Sequence, residues 1–212
     1  MTFLNEHFIP VINKIGQQLW LVIIATCLGI LIALPLGILV SRNKRVARIV
    51  MPVVITLQTI PSLALLALLV PFMGIGAKTA IFALALYALL PILQNTVVGI
   101  QQVPASLNDV ALALGLTPLQ RLIKVSLPLA LPLIMQGIRL STVYVISWST
   151  LAAYIGAGGL GDYIFAGLNL YDPKLILLGT LPLMLLAIFA DSLLKLATRI
   201  LVKRFHVDEV IA

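Results

Sequence analysis

The chain has 212 residues, 61% of them hydrophobic and only 10% charged, with a formal net charge of +7 and a mean hydropathy of +1.15. One soluble core of this length cannot bury that much apolar surface, so lipid is the expected solvent. The basic excess does not point to nucleic acid, because Lys and Arg fall in short clusters beside the ends of apolar runs and form no stripe among aromatics.

A helix needs about 20 apolar residues to cross a hydrocarbon layer about 30 Å thick. Runs of that length predict an all-α, polytopic membrane protein of about five spans, over residues 19–40, 49–72, 79–100, 127–154 and 175–196. In residues 1–18, Phe3, Leu4, Phe8, Ile9, Val11 and Ile12 stand among polar residues, which predicts an interfacial amphipathic helix on the outer surface. The first span lacks the basic lead of a cleavable signal and is too long for one, so it is expected to stay in the mature chain. Within it, Cys27 can form no intrachain disulfide and is expected to be a small packing residue. Gly29, Ala33 and Gly37 recur every four residues, a small-residue face that lets a neighbouring backbone approach closely.

The first connection holds Arg42, Lys44, Arg45 and Arg48, the third holds Arg121 and Lys124, and the tail holds Arg199, Lys203 and Arg204; the other connections carry only Lys78 and Lys174. The positive-inside rule therefore puts the first loop, the third loop and the C-terminus in the cytoplasm and the N-terminus outside, as an odd number of crossings requires. Pro35, Pro52, Pro61, Pro71, Pro91, Pro128, Pro132 and Pro182 fall in or beside spans, where each removes a backbone donor and tends to kink the helix. No linker rich in Ser, Gly or Pro divides the chain, so residues 1–212 are expected to form a single membrane domain. Five spans are few for a complete polar pathway, and pairing with a second copy or a relative is expected.

The third connection, residues 104–126, is the most strongly punctuated stretch. Ser106-Leu107-Asn108-Asp109 fits a capping box opening a first short helix, Gly115 a C-terminal turn, and Thr117-Pro118-Leu119-Gln120 a second capping box with proline at the first helical position. Val110, Ala111, Ala113 and Leu114 give the first helix small and apolar groups suited to a groove on another protein. The spacing Asp109-Val110-Ala111, then Gly115, then Val125-Ser126-Leu127-Pro128 resembles the cytoplasmic loop signature of bacterial ABC importer permeases, E-A-A, three residues, G, nine residues, I-x-L-P. The resemblance implies a type I ABC importer permease fold whose coupling helix seats in an ATP-hydrolysing subunit, with Asp109, Ala111, Gly115, Leu127 and Pro128 as the coupling residues. It also implies an extracytoplasmic substrate-binding protein and a second permease as partners.

Gln58-Thr59-Ile60-Pro61-Ser62 and the stretch from Thr150 through Tyr154 and Gly156 to Gly161 resemble, more narrowly, permeases that import glycine betaine, carnitine or choline. A methionine or other amino-acid importer shares the loop pattern and is the alternative within the class. An ion-coupled secondary transporter or channel is the alternative from a different class.

Polar residues inside spans are costly and face a pathway or another helix, which nominates Gln58, Thr59, Gln94, Asn95, Gln136, Arg139, Ser147 and Ser149. Tyr87, Tyr144, Trp148 and Tyr154 can present ring faces to a quaternary ammonium, with packing and interface belts as the competing roles. Asp191 is the acidic residue inside a span, where pairing with Lys195 one turn on is a simpler role than an ion relay. Gly156, Gly158 and Gly161 satisfy G-x-G-x-x-G without the strand and helix that give that motif meaning, and Asp162 follows where a P-loop needs Lys. The chain is thus expected to bind no cofactor of its own and to leave ATP to a partner. His7 and His206, on opposite predicted faces, offer no metal pair, and no catalytic constellation is expected.

Overall fold

The computed structural model describes residues 2–204, with the backbone alone at residues 2–8 and at 44. Its helices are α1 (Thr2–Ser41), α2 (Lys44–Gln58), α3 (Ser62–Met73), α4 (Ala77–Gln101), α5 (Ala105–Ala113), α6 (Pro118–Arg121), α7 (Leu127–Trp148), α8 (Gly161–Leu170) and α9 (Pro173–Arg204). A π-helical turn, Leu122–Ser126, joins α6 to α7, and a 3-10 segment, Ser149–Ile155, continues α7.

Among the described residues, four continuous stretches are long and apolar enough to cross a membrane: Ile9–Ser41, Ala77–Gln101, Pro118–Ile155 and Pro173–Arg204. The span expected over residues 49–72 is not straight. It is broken into α2 and α3, which meet at 90°. Pro61 supplies no N–H and disfavours helical backbone at Ile60, and the Thr59 hydroxyl closes the end of α2 on the Thr56 carbonyl at 2.7 Å. The other prolines expected to kink spans behave differently: Pro35, Pro52, Pro71, Pro91, Pro132 and Pro182 all lie within unbroken helices.

The expected interfacial helix over residues 1–18 is corrected too. Residues 2–18 continue directly into the first span as part of one 40-residue helix. Its buried face extends to Gln18, which is fully enclosed. A separate surface helix would expose that carboxamide; here it has tertiary partners, described below.

α4 is the central helix, flanked by α1 and α7, and carries more buried residues than any other described helix. The small-residue face of α1 permits this packing. A Cβ at Gly29 would lie 2.6 Å from the Ala88 Cβ, and one at Gly37 2.8 Å from the Thr96 Cβ, while Ala33 between them is fully buried. On the other side of α4, a Cβ at Gly137 of α7 would come within 2.7 Å of the Pro91 carbonyl. Cys27, expected to pack, is instead exposed on α1. α9 packs on α7 and α8 but leaves most of its surface uncovered. The expected external loop over residues 155–174 contains α8, which folds back on α9 where Gly167 meets Ile176 and Gly179 meets Ile164.

Candidate functional site

The segment over residues 104–126 forms the predicted helix, glycine turn and helix, with a different start. Pro104 precedes the first residue of α5, no side chain caps it, and Asp109 is an exposed mid-helix residue. The capping role expected for Ser106 and Asp109 is therefore corrected: the helix begins directly after proline, before either side chain can reach its free N–H groups. The other end is as expected. Gly115 takes φ +75, its N–H bonds the Leu112 carbonyl at 2.9 Å, and the Leu116 N–H bonds the Ala111 carbonyl at 3.1 Å, which together form a Schellman closure. Thr117 and Gln120 form the reciprocal capping box at 3.3 and 2.9 Å, with Pro118 opening α6.

The second short helix then runs on through the π turn into α7, so the segment is continuous with a span. Within the turn the Leu127 N–H bonds the Leu122 carbonyl, and Pro128 follows, whose ring would crowd the carbonyl four residues back in a regular helix. Leu127 and Pro128 are thereby fixed at the base of α7. Of the other loop residues, Ala111 is only 3% exposed and faces the chain's own interior, whereas Val110, Leu112 and Leu114 are 57%, 57% and 75% exposed. The face offered outward is made by these three large apolar residues beside Asp109. Behind the segment lies a cavity of about 360 Å³, lined by Gln102, Pro104, Leu107, Leu129 and Pro132 among others.

Of the eight polar residues nominated within the spans, Gln94 is exposed, Ser149 meets Gln18, and the other six separate into three groups. Gln136 and Arg139 line an open groove of about 530 Å³ between α7 and α9, together with Leu140, Val143, Asp191 and Ser192. There the Arg139 guanidinium holds Asp191 through Nε at 3.1 Å and Nη2 at 2.8 and 3.0 Å. Asp191 thus pairs across helices with Arg139 and not with Lys195. A bidentate guanidinium partner gives an acceptor geometry that a single ammonium on the same helix face cannot match. Both residues lie near the middle of their helices, where each charged side chain costs about 3 kcal/mol against hydrocarbon.

In the second group, Trp148 stands between Tyr87, with ring centroids 4.6 Å apart, and Tyr144, at 5.4 Å. Gln58 donates to the Tyr87 carbonyl at 2.7 Å, and the Tyr87 hydroxyl donates to the Ile60 carbonyl at 2.6 Å, so this cluster anchors the bend between α2 and α3. Tyr144 is the exposed member, and Tyr154 sits elsewhere against Phe165. The third group turns inward on its own helices: Thr59 bonds the Thr56 carbonyl, Asn95 the Pro91 carbonyl at 2.8 Å and Ser147 the Val143 carbonyl at 3.1 Å.

The glycine-rich stretch is a docking element. Gln17 accepts from the Gly159 N–H and Gln18 from the Leu160 N–H, each at 3.2 Å. Gln18 also donates to Ser149, and Lys14 pairs with Asp162. A Cβ at Gly158 or Gly159 would sit 2.6 or 2.4 Å from these glutamine oxygens, so the glycines are needed for close approach. Among the described residues no group of three or more His, Cys, Asp or Glu could hold a metal. His206 lies outside the described residues, as does the side chain of His7.

Residues 12–207 match the family of binding-protein-dependent transport system inner membrane components. The chain belongs to that family. This permease is similar to the carnitine transport permease protein OpuCB of Listeria monocytogenes, 49% identical over 191 residues, which is 90% of this chain and 88% of that protein. It is also similar to the glycine betaine/carnitine/choline transport system permease protein OpuCB of Bacillus subtilis strain 168, at 46% identity over 94% of this chain and 92% of that one. Among solved structures, the inward-facing MetNI methionine ABC transporter superposes with a TM-score of 0.84 at 23% identity, over 92% of this chain and 98% of that chain. That likeness establishes the fold, a type I ABC importer permease, and nothing about the cargo. The ion-coupled transporter is set aside by the family, whose members work with binding proteins.

Sequence reasoning named one partner of the permease's mid-span ion pair as a pathway residue and gave the other a wrong neighbour. It overlooked Lys14, Gln17 and Gln18, and named Asp162 only in setting aside a P-loop. The one available signal was two glutamines and a lysine on the same apolar helix that leads into the first span.

Proposed function

We propose that this permease is the membrane-spanning subunit of an ATP-driven importer that carries an osmoprotectant such as glycine betaine, carnitine or choline by alternating access. The carrying observation is identity of 46–49% across nine-tenths of the chain to permeases named for those three compounds. The methionine alternative rests on fold likeness at 23–25% identity, a much weaker link to cargo. The permease performs no covalent chemistry and holds no cofactor; ATP is bound and hydrolysed by a partner subunit.

In this reading α5 is the coupling helix. Val110, Leu112 and Leu114 enter a cleft of the ATPase, Asp109 lies at its rim, and Gly115 sets the angle between α5 and α6. The continuous path from α6 through Leu127 and Pro128 into α7 carries the movement into the membrane. The positive-inside rule supports a cytoplasmic loop and C-terminus, with the N-terminus and the glycine dock outside, where the extracytoplasmic binding protein delivers its cargo. A second permease, identical or related, completes the pathway, because the exposed residues of α7 and α9 include charges that hydrocarbon does not tolerate.

The test is purification of the tagged permease from its native membrane in mild detergent, comparing the unaltered chain with Gly115→Arg. An ATPase that co-purifies with the first and is lost from a stably inserted second supports the reading. Absence of any ATPase from the unaltered chain across several detergents sinks it. Uptake of labelled glycine betaine, carnitine, choline and methionine by cells with and without the permease assigns the cargo.

A further inference from the structure

The groove between α7 and α9 combines three properties. Its charged pair is bidentate, with Arg139 Nε and Nη2 both engaged, which is the geometry a guanidinium uses for any carboxylate. The pair is accessible, its side chains 26% and 39% exposed toward the groove. The volume of about 530 Å³ lies within the range of small-molecule sites, and Gln136 and Ser192 add neutral hydrogen-bonding groups to apolar walls from Leu140, Val143 and Ile188. A pair meant only to pin two helices together gains nothing from such an opening.

We propose that this groove is a binding site for a net-neutral zwitterion, whose carboxylate displaces Asp191 from Arg139 while its quaternary ammonium takes the freed Asp191 carboxylate. The site rests on the osmolyte reading above and deepens it by locating a cargo contact within the membrane domain. Electrostatics at mid-membrane depth favour this exchange. The empty pair is neutral, the zwitterion is neutral, and insertion leaves two compensated pairs, so no net charge is added to a medium of low dielectric. A lone cation such as choline, inserted in the same way, leaves Arg139 without a partner. A substrate with no charge separates the pair with nothing to replace it. The site therefore selects by charge pattern, independently of whatever a binding protein selects first.

The experiment uses the complete transporter, assembled with its ATPase and binding protein in proteoliposomes, and reads the ratio of choline to glycine betaine uptake. Keeping the binding protein constant makes changes in that ratio report on the permease. Arg139→Gln removes the carboxylate partner and leaves Asp191 free for a cation, so the ratio is expected to rise about tenfold or more. Asp191→Asn removes the cation partner, and the ratio is expected to fall by a similar factor. Equal losses of both substrates, with the ratio unmoved in both variants, overturn the site and leave a purely structural ion pair. Where a single variant does not assemble, the neutral double variant Arg139→Gln/Asp191→Asn carries the test: it is expected to assemble and to lose glycine betaine uptake about tenfold more than choline uptake. Glycine betaine uptake at the unaltered level, or an equal loss of both substrates in that variant, refutes the proposal. An unaltered transporter that imports neither substrate refutes the osmolyte reading itself, and the assigned ligand falls with it.

Discussion

The side-chain carbonyl of Gln18 accepts a hydrogen bond from the backbone N–H of Leu160, 3.2 Å away in space and 142 residues away in sequence. The same carboxamide donates to Ser149, so one buried side chain ties α1 to the 3-10 end of α7 and to the glycine turn before α8. Gln18→Leu keeps much of the volume and leaves the Leu160 N–H without its side-chain partner in a buried position. A loss of about 1–3 kcal/mol is expected, measured as a lower midpoint of thermal unfolding in detergent. An unchanged midpoint refutes the docking role.

Close approach of α1 and α4 depends on Gly29. A leucine there meets the Ala88 Cβ, part of a helix that cannot yield locally. Gly29→Leu is expected to cost about 1–3 kcal/mol through overpacking, and Gly29→Leu combined with Ala88→Gly to recover part of it. Folded yield and thermal midpoint of the two variants check this; equal destabilisation in both argues that the contact is not the cause.

Gly115 presents the opposite case, because an added Cβ there meets nothing within 4 Å. The cost of replacing it comes from φ +75 alone. Gly115→Ala is expected to cost about 1–2 kcal/mol of local order, whereas Gly115→Asn, which tolerates that conformation, retains ATPase co-purification near the unaltered level. Loss of the ATPase in both variants to the same degree shows that the glycine acts through space and not through its backbone.

The bend between α2 and α3 is held by the hydroxyl of Tyr87 on the Ile60 carbonyl. Tyr87→Phe keeps the ring against Trp148 and removes that hydrogen bond, at a cost of about 1 kcal/mol. Amide exchange is expected to accelerate over residues 59–63 while α4 and α7 stay protected. Uniform acceleration through the whole molecule, or none, is the contrary result.

Spans, loop signature and capping turn at Thr117 were legible because each depends on local pattern: apolar run length, residue spacing, and side chains that reach their own backbone. The small-residue face of α1 was legible for the same reason, since Gly29, Ala33 and Gly37 share a helical face whatever packs against it. The break at residues 59–61 was read as part of one span, because hydropathy continues through it and a single proline is tolerated elsewhere, as at Pro91 and Pro132. Asp191 was given Lys195 because neighbours on one helix are visible in sequence and neighbours on another are not.

By itself, then, the sequence determined that this chain lives in lipid, how many times it approaches a crossing, where its helix–turn–helix connection lies and which residues turn it. Those properties follow from transfer free energy and backbone preference, which are sums over adjacent residues. Tertiary structure alone decided that Arg139 and Asp191 share a groove, that Gln17 and Gln18 read the glycine turn, and that Ala111 faces inward while Val110, Leu112 and Leu114 face out. Each of these depends on which helix faces lie together, and hydrogen bonds and ion pairs act over about 3 Å, a distance that no spacing along one helix specifies for residues on different helices.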